Sequence, residues 1–229
     1  MPTLRVLDEA AARAGLAFCG VARLEPGERI GALADARCVA LLGMVGSAQW
    51  PGFVKSAEAH DGGADPLDRW SQRIVGALAD ELGAQALYPF GGPPHWPFQR
   101  WAQRAEPMHV SPLGLLIHPT YGLWRGYRGA LAFAEPSEIA PRDEAASPCE
   151  TCATRPCLSA CPVNAFTAAG YDVAACATHL HREAGRPCLE GSCLARRACP
   201  VGAEYAHTPA EASFHTRAFL KARDEADHG

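Results

Sequence analysis

Eight of the ten cysteines in this 229-residue chain fall between Cys149 and Cys199. Nothing else in the sequence limits the fold as strongly, because thiols at that density are held by one another or by metal. A disulfide scaffold needs an oxidising compartment and is usual in short secreted chains. The opening residues MPTLRVLDEAAARAG read instead as an amphipathic helix, without the apolar run and cleavage site of a secretory leader. No run of eighteen apolar residues follows, so no membrane association is expected and the expected compartment is the cytoplasm. Metal is therefore the expectation for the eight clustered cysteines. Cys19 and Cys38 stand alone in apolar stretches, where a thiol serves as a small buried hydrophobe.

The first run, CETCATRPCLSACP, sets cysteines at 149, 152, 157 and 161, with Pro162 after the last. Cys176, Cys188, Cys193 and Cys199 follow, the last again before a proline, Pro200. Bacterial two-cluster ferredoxins repeat C-x2-C-x2-C-x3-C-P and pass the fourth cysteine of each run to the other cluster. On that wiring Cys149, Cys152, Cys157 and Cys199 hold one 4Fe-4S cluster, and Cys161, Cys176, Cys188 and Cys193 hold the other. None is left over. Two extra residues precede Cys157, and the second run is looser, C-x4-C-x5-C, but loops tolerate insertions at modest entropic cost. Zinc accepts four thiolates at similar spacing and stays open as the alternative. Arg155, Arg182, Arg186, Arg196 and Arg197 lie in the module, either solvated or close enough to an anionic cluster to raise its potential.

The remainder reads as globular: 48% of residues are apolar and 20% charged, so a core is expected. Formal charge is −4, and no basic stripe with interleaved aromatics is present to neutralise phosphates, which argues against a nucleic-acid partner. Leu4, Leu7, Ala11 and Ala14 share a face of a helix running from Thr3 or Leu4 to Ala14 and closed by Gly15. LAFCGVA is a short apolar stretch and Arg37 to Val45 a buried strand; Gly43 within it and Gly46 just after it mark a close approach to the backbone. Trp50 to Asp65 is expected to be a long loop. Asp65, Pro66 and Asp68 then start a helix with Leu67, Trp70, Ile74, Leu78 and Leu82 on its apolar face. A strand over 84–90 leads into YPFGGPPHWPFQRW, whose rings either wall a flat apolar ligand or pack as a stiff loop on the core. Leu113 to His118 and Gly126 to Ala134 are expected strands, and residues 135–148 read as a linker. Thr208-Pro209-Ala210-Glu211 is a capping box opening a last helix with Phe214, Ala218 and Phe219 on a weak apolar stripe. The expected division is a domain at 1–145, a cysteine domain at 146–205, and a helix at 206–229 folding back on the body.

With the cysteine module, GLAFCGVA and LLIHPTYG (Leu115 to Gly122) together in view, the chain resembles the iron-sulfur and cobalamin-binding family that contains epoxyqueuosine reductase. Cys176 matches the isolated cysteine between that family's two runs. The resemblance implies an α/β (α+β) fold: a nitroreductase- and cobalamin-processing-like domain, then a small ferredoxin-like two-cluster domain. It places Leu115, Leu116, Ile117 and His118 near a corrin face, although side chains alternate along a strand and only one parity can face a ligand. A core strand is the other reading of the three aliphatic residues. The family's general-acid aspartate has no counterpart in GGPPHWPFQRW. A proton donor would come from His95, His109, His118, Tyr121 or Tyr127, with His118 and Tyr121 first.

The leading function on these grounds is a reductase relaying electrons from two 4Fe-4S clusters to a corrinoid (cobalamin) or another acceptor in the amino-terminal domain. Its donor would be a flavodoxin, ferredoxin or flavoprotein reductase. A bare ferredoxin has no need of the roughly 145 residues before the module. The second function is a non-catalytic electron-transfer partner docking through exposed Trp96, Phe98, Trp101 and Trp124; the same rings around a closed concavity would favour a cofactor pocket. The third is a zinc-stapled structural protein. Flavin has no glycine fingerprint behind it, GGPP not being one.

Overall fold

The computed structural model describes residues 2–28, 33–135 and 145–228. Its elements in chain order are α1 (Leu4–Arg13), β1 (Ala17–Arg23), β2 (Cys38–Val45), α2 (Trp50–Val54), α3 (Pro66–Leu82), β3 (Gln85–Leu87) and α4 (Phe98–Ala105). There follow β4 (His109–Val110), β5 (Leu116–Ile117), β6 (Arg125–Phe133), α5 (Pro156–Ser159), β7 (Phe166–Thr167), β8 (Gly170–Tyr171) and α6 (Val173–Leu180). The last three are α7 (Arg186–Gly191), α8 (Leu194–Arg197) and α9 (Pro209–His228). Helices are mixed with antiparallel strands, and no described helix is long and apolar enough to cross a membrane.

Two compact units divide the chain: Met1–Met108 with Arg125–Ala145, and His109–Trp124 with Ala146–Gly229. One break between the units falls after Ala145, and the segment His109–Trp124 is grouped with the cysteines and not with the amino-terminal residues. The reason is apolar burial: Leu113, Ile117 and Leu123 share one core with Cys157, Ala195 and Cys199. The expected linker lies mostly outside the described residues.

The first unit is built on a four-stranded antiparallel sheet in the order β1-β2-β6-β3. Seven consecutive residues of β2, Cys38 to Met44, are buried, so both faces of this strand are covered. Each large aliphatic side chain buried there stabilises the sheet by about 1.5–3 kcal/mol. Helix α1 packs on β1, α3 on β6 and β3, and α4 on β1 and β2. The close approach expected at Gly43 is that of the neighbouring strand. A Cβ there would lie 2.2 Å from the Gly126 carbonyl oxygen, at the irregularity in the β2–β6 register.

Several local expectations change. Trp50 to Asp65 is not a plain loop, because α2 buries Trp50 and Phe53 with their rings 5.0 Å apart, and Phe53 meets Trp70 at 6.0 Å. Asp65 precedes α3 with φ +47° and its side chain makes no capping bond. The buried face of α3 carries Ser71, Val75 and Ala79 where Ile74 and Leu82 were expected, since Val75 seats against Gly129 of β6. Strand β3 ends at Leu87. Beyond it the Tyr88 hydroxyl donates to the Gln72 carbonyl at 3.1 Å and Pro89 has no amide to offer the ladder.

The end of the ring-rich segment packs on the core. Trp101 and Phe98 are buried on α4, and the Trp101 indole donates to Glu28 at 3.2 Å, beside the bidentate contact of Arg104 with the same carboxylate. At the end of α4, Glu106 accepts from Arg125 through both carboxylate oxygens and from the Tyr127 hydroxyl at 2.9 Å. The Arg125 and Glu106 side chains are 4% and 9% exposed. Burial pushes the Tyr127 phenol and the Cys19 thiol far above their usual ranges. This polar knot holds the last turn of α4 to β6.

Candidate metal centres in the second unit

The second unit brings the eight cysteines together through short helices. Arg-Pro-Cys-Leu occurs twice, at 155–158 and 186–189, and each copy places a proline in the first turn of its helix, α5 or α7. Proline has no amide to leave unsatisfied there and its φ already suits a helix. Cys157 and Cys188 each follow that proline directly, within the first turn of their helices. Cys176 projects from α6, Cys193 precedes α8, and Cys199 follows it.

Their neighbours sort the cysteines into two groups. Cys149, Cys152, Cys157 and Cys199 line one small cavity, closed by Pro112, Pro156, Pro200 and Val201. Burial raises the Cys157 thiol, and Cys199, Cys149 and Cys152 raise it further by proximity. The other four, Cys161, Cys176, Cys188 and Cys193, line a second cavity of about 330 Å³. Cys176 is raised first by burial and then by Cys161 and Cys188, and Cys193 by burial and then by Cys188 and Cys176. Polar hydrogens point at these sulfurs. The Ala165 amide donates to Cys161 Sγ at 3.3 Å, the amides of Ala195 and Arg196 to Cys193, and the Tyr171 hydroxyl to Cys176. Such donors favour thiolate over thiol.

Leu113 and Leu115 line the larger cavity, whereas Ile117 is buried against Cys157 and Cys199. Leu115 thus lies beside the group of Cys161, and Ile117 belongs to a core that touches cysteines of both groups. His118 closes a tight turn: its amide and carbonyl pair with Gly122 at 2.9 Å each, and its Nδ1 accepts from the Thr120 and Tyr121 amides at 3.0 and 3.3 Å. Tyr121 stacks on His118 with ring centroids 4.5 Å apart and meets Tyr205 edge-on at 5.1 Å. His109 pairs with Ile117 in the β4–β5 hairpin and lines an open depression with Ser111, Ser147, Cys149 and Arg155. His95 is exposed and belongs to the first unit, as does Tyr127. Of the candidate proton donors in the second unit, His118 and Tyr121 are thus brought together.

Two other features come only from the folded chain. The Arg196 guanidinium lies 4.2 Å from the centre of the Trp124 ring and donates twice to the Leu123 carbonyl, at 3.0 and 2.6 Å. On α9, Glu211 and Ala212 are buried while Ala218 is exposed, so the expected stripe is rotated. The Glu211 amide donates to Thr208 Oγ1 at 3.5 Å, as a capping box requires. Its carboxylate lies between His207 and His215, and the signal for this was legible as a histidine–glutamate–histidine spacing of four. Burial, with Arg196 nearby, holds the His207 imidazole down at about 4, neutral at pH 7.

Comparison with protein-family models, with curated proteins and with solved structures returned no match.

Proposed function

We propose that the second unit is an iron-sulfur electron-transfer module. Cys149, Cys152, Cys157 and Cys199 would ligate one 4Fe-4S cluster, and Cys161, Cys176, Cys188 and Cys193 the other. One observation carries this reading: Cys161 lies with the later cysteines and Cys199 with the earlier ones. That exchange is the ligand pattern of two-cluster ferredoxins. Spacing of the sulfurs supports iron over zinc. Thiolates on one zinc at 2.3 Å stand about 3.8 Å apart. Among the described residues no three cysteine sulfurs lie within 4.8 Å of one another.

The bound clusters supply one-electron exchange at potentials set by nearby hydrogen bonds and solvent access. The chain's own contribution is to hold eight thiolates, to aim the Ala165, Ala195 and Arg196 amides at sulfur, and to keep water from the space between the groups with Leu113, Ile117 and Leu123. A corrinoid acceptor in the first unit is the further step that the resemblance offers. The rings once open to docking are largely internal, with Phe98, Trp101 and Trp124 all buried.

The test is anaerobic purification followed by iron, sulfide, zinc and cobalt analysis of one sample, with its visible spectrum before and after cobalamin is added. About eight irons and eight sulfides per chain are expected. A spectral response to cobalamin would extend the function to a corrinoid reductase. Stoichiometric zinc without sulfide, persisting through anaerobic cluster reconstitution, would overturn the redox reading.

A further inference from the structure

We propose that His207, Glu211 and His215 form a separate site for one divalent transition-metal ion. The site borders the cavity of Cys161, Cys176, Cys188 and Cys193 but takes none of them as a ligand. Among the described residues, these three are the metal-ligating side chains whose donor atoms all lie within 4.8 Å of one another. His207 Nε2 and His215 Nε2 each stand 3.7 Å from the same oxygen, Glu211 Oε1.

That separation is informative. It is too long for a hydrogen bond, which needs 2.7–3.2 Å between nitrogen and oxygen. It suits two ligands sharing an ion. Three atoms spaced in this way have a common centre about 2.1–2.4 Å from each, near the 2.0–2.2 Å at which imidazole nitrogen and carboxylate oxygen bind zinc.

The surroundings favour a built site over a surface accident. Glu211 is 1% exposed, on the first turn of α9 where the cap at Thr208 fixes the backbone. The His207 ring is held edge-on against Trp124 at 5.1 Å and lies 5.5 Å from the His215 ring. Its Nε2 is the nitrogen on the Glu211 side. Arg196 is the nearby positive group, and its guanidinium is turned to the Leu123 carbonyl and the Trp124 ring.

Two imidazoles and one carboxylate are a donor set for zinc, iron(II) or manganese, whereas calcium and magnesium take oxygen ligands. Three protein donors leave a coordination position for water or a substrate. Both histidines line the larger cavity, so that position would open toward it.

The probe is zinc. The full chain, isolated anaerobically, is freed of loosely held metal with a mild chelator and dialysed against micromolar zinc; zinc, iron and sulfide are then measured together. The expected result is about one zinc per chain, with nitrogen and oxygen neighbours at about 2.0–2.1 Å by X-ray absorption. His215→Ala, at a position partly open to solvent, and Glu211→Gln should each weaken zinc binding at least tenfold while iron and sulfide stay unchanged. No uptake by the unmodified chain, a sulfur shell at about 2.3 Å, or uptake unaltered in both variants would overturn the proposal.

Discussion

Paired cysteine substitutions test the wiring more sharply than single ones. Cys161 and Cys176 line the same cavity, whereas Cys149 lines the other. Replacing Cys161 and Cys176 together by alanine therefore removes two ligands from one group and none from the other. Replacing Cys161 and Cys149 removes one ligand from each. If losing a ligand abolishes its cluster, iron falls from about eight to about four per chain in the first variant and toward zero in the second. Chain-order wiring, with residues 149–161 in one group and 176–199 in the other, reverses the two results. The assay is iron and sulfide per chain after anaerobic reconstitution, with circular dichroism to confirm that each variant is folded. Electron paramagnetic resonance of the reduced chains adds an independent readout: two interacting centres in the unmodified protein, one isolated centre in the first variant. About four irons in the Cys161/Cys149 variant and none in the Cys161/Cys176 variant would refute the crossed assignment.

Three further outcomes follow from the geometry. Arg125→Met leaves the buried Glu106 carboxylate without its cation and should destabilise the first unit by about 3–5 kcal/mol; thermal melting should fall by about 6–20 °C, and a fall of under 2 °C would contradict the buried-pair account. Gly122→Ala would set a Cβ 1.9 Å from the Val201 carbonyl oxygen at a backbone angle of φ +56°. Because Val201 follows Cys199 closely, a loss of more than about 2 kcal/mol, together with reduced iron in the first group, is expected on melting and metal analysis. The third concerns pH. Hydrogen bonds from Arg73 hold the Glu58 carboxyl at about 2, below its ordinary 4.5. A depressed carboxylate stabilises the folded state above its unfolded pKa, and that contribution is lost as pH falls from about 4.5 toward 2. The melting gap between the unmodified chain and Arg73→Gln should therefore hold steady from pH 7 to 5 and narrow below it; a gap that widens in acid would reverse the assignment.

The elements best read from sequence are those whose signals are local. Thr3 accepts from the Val6 amide and Gly15 takes φ +77°, so both ends of α1 follow from residues within one turn of the helix. The buried strand β2 was legible because seven apolar residues in a row leave it no solvent face. Expectations weakened where a distant partner chose among local options. Val75 faces the core in place of Ile74 because Gly129, over fifty residues away, opens a seat for it. The aromatic run leading into α4 reads as a ligand wall, with a packed loop as the alternative, and the packing of its end is set by Glu28, which accepts the hydrogen bond that Trp101 needs.

The cysteine region divides in the same way. Number and spacing raised the expectation that these thiols act as a set, because a soft metal needs several thiolates and insertions between them cost little. The repeated Arg-Pro-Cys-Leu starts of α5 and α7 were also local, since proline selects the first turn of a helix. Only the tertiary structure decided that His109–Trp124 joins this unit, because burial of Leu113, Ile117 and Leu123 is scored by neighbours and not by sequence distance. The convergence of His207 and His215 on Glu211 likewise depends on α9 burying the face that carries the carboxylate. Four-residue spacing permits that meeting on any helix, but whether a carboxylate stays in water or turns inward to neighbouring imidazoles is settled by what covers it.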